Sequence, residues 1–402
     1  MTDAGDGDHG SPWADDDANG PRALLTRRRL TIGGTVLVVA GLLFAFREVD
    51  LSRVVSEMLR ADPWLLAAAV GVYAASWPLR GRRYGDVLAT TGHPAGTTFL
   101  TLAVFLSQTA NLVVPARGGD AVRAYVLKAR RNVPYPAGFA SLAVERGFDL
   151  ASIAVLGGVA TVWLVAGGET GTLAAVADAG DARTALLAAG GMGAATLAVG
   201  LLTVAVARSD RGLGGRFRGL VERRPRLQKP VEAGLSFATD IAVVARNPRA
   251  MATIGGGSLL IWSLDVATAV LVLAALDSGL AAGPLLAVGT LAVSVGNLAK
   301  VLPLSQGGVG LYEAAFTALV VALTPIGAST ALAAAVVDHA LKNAVTLVGG
   351  GGAVAVLGIS PSTAARRGED ISGEPTAVPP ESPAAAETRT DGSGGETHGA
   401  DD

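Results

Sequence analysis

Glu145, Arg146 and Asp149 stand inside one apolar run of this chain, and Asp338, His339 and Lys342 stand at the same spacing inside another. Glu145 and Asp149 share a helix face with Arg146 beside them; Asp338 and Lys342 form the same i,i+4 pair, next to His339 and Asn343. A charge at mid-bilayer costs about 2.5–3.5 kcal/mol, so charges kept there are candidates for function. Such groups can pair, pass protons or receive a charged cargo. The plainer alternative is a set of structural ion pairs that pin helices together. In the first cluster two carboxylates face one guanidinium, which leaves a charge without a local partner. His339 by itself reads more readily as a helix-contact hydrogen bonder than as a proton relay. Asp265 lies alone in a further apolar run, where it could contact or cap a neighbouring helix.

Each cluster is preceded, at one fixed interval, by a charged glycine motif. The first runs from Asn111 through Pro115, Arg117, Gly118 and Gly119 to Asp120. The second runs from Asn297 through Lys300, Pro303, Gln306, Gly307, Gly308 and Gly310 to Glu313. Asp120 to Glu145 is 25 residues, and so is Glu313 to Asp338. Glycines in both could be simple turns, since glycine reaches positive φ cheaply. Their company points further: amide-rich turns that open a helix beside cations are natural anion sites. Arg117, Arg123 and Lys300 are the side chains expected to contact a lipid phosphate there, with Gly118, Gly119, Asp120, Gln306, Gly307, Gly308 and Glu313 completing the site. Neither copy ends in Gly-Lys-Ser/Thr, so neither is a nucleotide P-loop.

The elements that must position these residues are membrane helices. Half of the 402 residues are apolar and 16% are charged, whereas soluble domains are nearer a quarter charged. The chain has no cysteine, hence no disulfide, thiolate metal site or cysteine nucleophile; no metal or cofactor is expected. Residues 1–20 carry six acidic residues and no Lys or Arg, and 361–402 carry nine acidic residues against three Arg. Both are expected to be disordered tails around a membrane domain at 21–360. Acidic tails and 28 Arg beside four Lys suggest a halophilic organism; a GC-rich genome would favour Arg in the same way.

Apolar runs long enough to span occur at 30–46, 63–79, 137–166, 184–207, 251–276 and 331–357, and shorter ones at 94–114, 283–302 and 311–326 flank the motifs. The acidic leader before 30–46, and Arg47-Glu48 after it, do not read as a signal peptide. Arg27 to Arg29, then Arg80, Arg82 and Arg83, the basic loop 208–249, and Arg366 and Arg367 place both termini inside. Residues 231–245 of that loop have the spacing of an interfacial helix, although ordinary positive-inside topology explains its charge. The stretch 94–114 has basic flanks on both sides, which predicts a re-entrant hairpin turning near Asn111–Pro115. The second copy is a re-entrant pair or two full spans. The expected fold is an all-α polytopic membrane protein with about eight transmembrane helices, the two motif-bearing halves inverted relative to each other.

Taken together, Pro115-x-Arg117-Gly118-Gly119-Asp120-x-x-Arg123, Glu145-Arg146-x-x-Asp149 and Pro303-x-x-x-Gly307-Gly308-x-Gly310-x-x-Glu313 resemble the lysylphosphatidylglycerol synthase transmembrane-region family, also called the flippase-like domain family. The resemblance covers roughly 30–357, with Asp120 standing where the family more often has Glu. It implies movement of an anionic phospholipid or polyprenyl-phosphate-linked lipid between leaflets of the plasma membrane. The runner-up functions are a membrane-embedded transferase using Glu145 or Glu313 as general base, and a scaffold for a separate envelope glycosyltransferase; solute transport is a further alternative. No stretch outside the spans is long enough for a soluble aminoacyltransferase or glycosyltransferase domain, so the expectation is a stand-alone membrane module.

Overall fold

A computed structural model describes residues 49–113, 118–166, 191, 239–300 and 306–359. The expected span 30–46, all of the expected span 184–207 except residue 191, both tails, most of the basic loop, and the motif residues 114–117 and 301–305 lie outside these residues. Among the described residues every regular element is helical. In chain order they are α1 (Leu51–Arg60), α2 (Pro63–Thr90), α3 (Thr97–Val113), α4 (Gly118–Arg131), α5 (Tyr135–Ala166), a helical segment at 239–246, α6 (Pro248–Ala275), α7 (Ala282–Ala299), a 3-10 turn (Gln306–Gly308), α8 (Leu311–Leu323) and α9 (Ala328–Leu357).

The helices fall into two matching sets of four. α2 to α5 have 28, 17, 14 and 32 residues, and α6 to α9 have 28, 18, 13 and 30. Both sets start from the same local chemistry. Asp62 accepts the amides of Trp64 and Leu65 ahead of Pro63, and Asn247 accepts those of Arg249 and Ala250 ahead of Pro248. A capping side chain with proline at the first helical position is a strong helix start. Trp77 and Trp262, like Arg80 and Asp265, are separated by the same 185 residues as these caps. Beyond the motifs the offset becomes 193, as between Asp120 and Glu313, because α7 is one residue longer than α3 and the connection from α7 to α8 is seven residues longer than that from α3 to α4.

The first helices of the two sets, α2 and α6, run in opposite directions. The Asp62 amide at the start of α2 donates to the Ala275 carbonyl at the end of α6 (2.8 Å), while Arg83 further along α2 reaches Ser258 of α6. Contacts across the two sets are reciprocal as well. α3 packs on α9, where Thr109 donates to the Thr346 carbonyl (3.0 Å) and Gly349 and Gly350 leave room for Phe105 and Thr109. α7 packs on α5 in the same manner, with Gly157 against Ser294 and Gly283 beneath Trp163. α1 packs on α9, and the segment 239–246 places Val244 against Val144 and Phe148 of α5.

α5, α6, α7 and α9 are long and apolar enough to cross a membrane. Large apolar side chains point out of the bundle on all four, among them Val155, Val159 and Val162 on α5, Leu260 on α6, Leu286 on α7 and Val348 and Val356 on α9. α8, with 13 residues, spans about 20 Å at 1.5 Å per residue, short of the roughly 30 Å hydrocarbon core. The run at 63–79 is the first part of α2, which continues unbroken through Arg80, Arg82 and Arg83 to Thr90. Arg83 is therefore not a flank exposed at the membrane surface, as its place after the apolar run suggests, but a core residue 2% exposed. The positive-inside count loses that residue.

Candidate functional site

α5 projects Glu145 and Asp149 inward from one face, and Arg83 arrives from α2 to meet both. Its guanidinium donates to Glu145 Oε1 (2.6 Å), to Asp149 Oδ1 and to Ser258 Oγ on α6 (2.8 Å). Arg123 of α4 donates to the second Glu145 oxygen (2.6 Å) and lies over the Tyr84 ring, 4.9 Å from its centre. Trp262 of α6 donates its indole N–H to Asp149 (2.9 Å). Arg146 turns away to Asp120 at the start of α4 (3.1 Å), with Asp149 4.0 Å off. The carboxylate pair expected to outnumber its cation is thus balanced: Arg83, Arg123 and Arg146 face Asp120, Glu145 and Asp149. The sequence reading missed two partners because they come from other helices. A guanidinium that bridges two carboxylates through separate N–H groups, as Arg83 does, fixes geometry as well as charge.

The second cluster is built on α9. Lys342 Nζ lies 3.0 Å from Asp338 Oδ2 and 3.0 Å from Asp265 Oδ2 on α6. Arg80 of α2 stands 3.8 Å from the other Asp265 oxygen. Asp265, expected to lie alone, is shared by two cations. Tyr312 of α8 donates its hydroxyl to Asp338 Oδ2 (2.5 Å), and Lys300 Nζ lies 4.6 Å from the centre of the Tyr312 ring. His339 bonds Glu313 at the start of α8 (2.6 Å), the helix contact anticipated for it, and the Gly310 amide donates to the other Glu313 oxygen (2.6 Å).

α2 and α6 join the two clusters. Arg83 and Arg80 lie one turn apart on α2, the first bound to α5 and the second to Asp265. Ser258 and Trp262 of α6 face the first cluster while Asp265 of the same helix faces the second. Arg80 and Asp265 occupy equivalent positions in the two sets, so this pair sits where the repeats meet.

The motif residues take different parts. Gly119 donates its amide to Asn111 Oδ1 (2.9 Å), and a Cβ at that position would run into the Ser107 carbonyl and the Asn111 side chain. Its role in the structure is close helix approach. In the second motif Gly307, Gly308 and Gly310 have φ of 62°, 76° and 88°, a left-handed backbone that glycine adopts without strain. Asp120 and Glu313 make matching contacts 26 residues onward, to Arg146 and His339. Arg123 is wholly buried against Glu145. Arg117 and the Gln306 side chain lie outside what is described. Among the described residues no group of three or more acidic or histidine side chains is arranged to hold a metal ion. The sequence places Arg83 only as a membrane flank and does not single out Tyr312 or Trp262; the 185-residue match of Trp77 with Trp262 is the signal that could have pointed to α2 and α6.

Comparison with known proteins places this arrangement. The family described as "Lysylphosphatidylglycerol synthase TM region" matches residues 31–350. The protein named Glycosyltransferase AglD, from Haloferax volcanii, is 47% identical over an alignment of 362 positions that covers 87% of this chain. The chain spans 58% of the length of that relative.

Proposed function

The chain belongs to the lysylphosphatidylglycerol synthase transmembrane-region family, and we propose from that premise that it binds an anionic phospholipid or polyprenyl-phosphate-linked lipid and moves it between leaflets. It is a multi-pass membrane protein of a kind associated with lipid and glycan processing. The observation that carries the finer reading is the meeting of two buried charged clusters on α2 and α6, the antiparallel first helices of the two halves. Buried charges in apolar helices are expensive, and their usual use is a polar pathway or cargo site. Antiparallel repeats around such a site can rock against each other to open it to either face. In this reading both termini are cytoplasmic, and Arg117, Lys300 and Glu313 of the two motifs bind the headgroup. The test is transfer of fluorescent phosphatidylglycerol in vesicles of phosphatidylcholine and phosphatidylglycerol holding the full chain. Arg117→Ala/Glu313→Ala is expected to slow transfer about tenfold, equivalent to about 1.4 kcal/mol of barrier. Equal rates in variant and wild type refute the reading.

The name of the Haloferax relative favours a second reading: a membrane module that serves an envelope glycosyltransferase, alongside it as a partner or as a transferase itself. A carboxylate acting as general base needs a free oxygen near its substrate. Both Glu145 oxygens are held by arginines and both Glu313 oxygens by Gly310 and His339, which favours the partner form over the transferase. Recovery of a glycosyltransferase with the purified chain, with no lipid transfer by the chain alone, would support it. A lipid product modified on incubation with nucleotide sugars would establish the transferase instead.

A further inference from the structure

Glu145 and Asp338 occupy equivalent positions, yet their carboxyl groups are held differently. Each Glu145 oxygen accepts from its own arginine, Oε1 from Arg83 and Oε2 from Arg123. A guanidinium does not give up its proton in proteins, so this carboxylate is locked in its charged form. Asp338 is fully buried, and its Oδ2 takes both the Lys342 ammonium and the Tyr312 hydroxyl. Its Oδ1 is buried with no hydrogen-bond partner among the described residues. An unpaired carboxylate oxygen in an apolar interior is costly and favours uptake of a proton.

The surroundings of Asp338 are built from exchangeable groups. On its own helix stand Lys342 and His339. α8 contributes Tyr312 and Glu313, the latter tied to His339. α6 supplies Asp265, which shares Lys342 with Asp338, and α2 supplies Arg80, whose guanidinium lies 5.8 Å from the centre of the Tyr73 ring. Lys300, at the end of α7, closes the group over Tyr312. Arg80 is the single guanidinium among them, whereas the first cluster is held by three.

We propose that Asp338 Oδ1 is an exchangeable proton site and that its occupancy couples lipid movement to a proton gradient. The proton enters from water on one face, neutralises Asp338, and leaves from the same oxygen to the other face. Its arrival loosens the Asp338 hold on Lys342, leaving the ammonium to Asp265, and so shifts the tie between α6 and α9. The proton site stands on this geometry alone; the coupling rests on the lipid-transfer reading above.

The test has two arms. Infrared difference spectra of the full chain in lipid, acidified stepwise, are expected to show a carboxylic C=O band that disappears in Asp338→Asn and moves to the glutamic-acid position in Asp338→Glu. Labelling wild-type aspartate with 13C at the carboxyl group shifts the band and assigns it to aspartate even where a variant does not fold. In vesicles of phosphatidylcholine and phosphatidylglycerol, a gradient of one pH unit is worth about 1.4 kcal/mol per proton. Tight one-proton coupling therefore biases fluorescent phosphatidylglycerol up to about tenfold towards one leaflet, and Asp338→Asn abolishes the bias. No band, or a band unchanged in Asp338→Asn, overturns the site. A band lost in Asp338→Asn with lipid indifferent to the gradient overturns the coupling. A wild type that moves no lipid while keeping the band refutes the lipid reading and leaves the proton site in place.

Discussion

The acid that opens α4 and the acid that opens α8 reach the same distance along the chain to different side chains: Asp120 to Arg146, Glu313 to His339. One position earlier, Glu145 is gripped by two arginines while Asp338 shares one lysine with Asp265. The repeat has preserved where the helices touch and changed what they touch with. Guanidiniums give multidentate contacts whose charge is permanent; ammonium, imidazole and phenol give contacts that a proton can rearrange. The first half is built as a fixed clamp and the second as a responsive one, with α2 and α6 between them.

That contrast breaks if the two clusters tolerate loss of their central cation equally. Arg83→Ala strips Glu145 and Asp149 of the cation they share and leaves Ser258 without its donor. Breaking a buried pair in this way costs about 3–5 kcal/mol, so this variant should be the most destabilised in thermal unfolding in detergent. Arg83→Lys should recover only part, because an ammonium lacks the planar fork that serves Glu145, Asp149 and Ser258 together. Lys342→Met should cost less, about 1–3 kcal/mol: Arg80 still faces Asp265, and Asp338 can take a proton rather than stand charged. Equal losses for Arg83→Ala and Lys342→Met would remove the distinction between fixed and responsive halves.

The glycines sharpen the same comparison at smaller scale. Gly119→Ala drives a Cβ into the Ser107 carbonyl and Asn111, and overpacking of a close helix contact costs about 1–3 kcal/mol. Gly308→Ala sets a Cβ against Lys300 Cγ, which must shift, and adds a left-handed backbone costing about 1–2 kcal/mol. Asparagine tells them apart, since it tolerates that backbone but is larger than alanine. Gly308→Asn should be milder than Gly308→Ala, and Gly119→Asn worse than Gly119→Ala, in the same unfolding assay.

Much of this was written in local spacing. The 25-residue interval, the i,i+4 carboxylates and the paired motifs are all properties of short windows, and the structure brings each of them to a cluster. What the windows could not carry was the contribution of α2 and α6. Arg83 follows an apolar run and looks like a surface flank, because nothing local says that α2 goes on for two more turns into the core. Asp265 looks solitary because its partners, Lys342 and Arg80, are 77 and 185 residues away. The full repeat is visible in Trp77 and Trp262 and in the two capped prolines, but the longer second connection shifts the register midway and hides it from a single offset.

Those capped starts give the smallest effect and the most direct check on the equivalence itself. Asp62 and Asn247 do the same work at the same place in each half: a side-chain oxygen takes two otherwise orphaned amides, and a proline follows. Loss of such a cap costs about 1 kcal/mol. Asp62→Ala and Asn247→Ala should therefore lower stability by similar amounts, and the double variant by their sum, since the two caps share no partner. A large difference between them would mean that the halves differ from their first residues onward. Equal, additive losses would confine the divergence to the charged clusters, where duplicated helices have come to hold unlike chemistry.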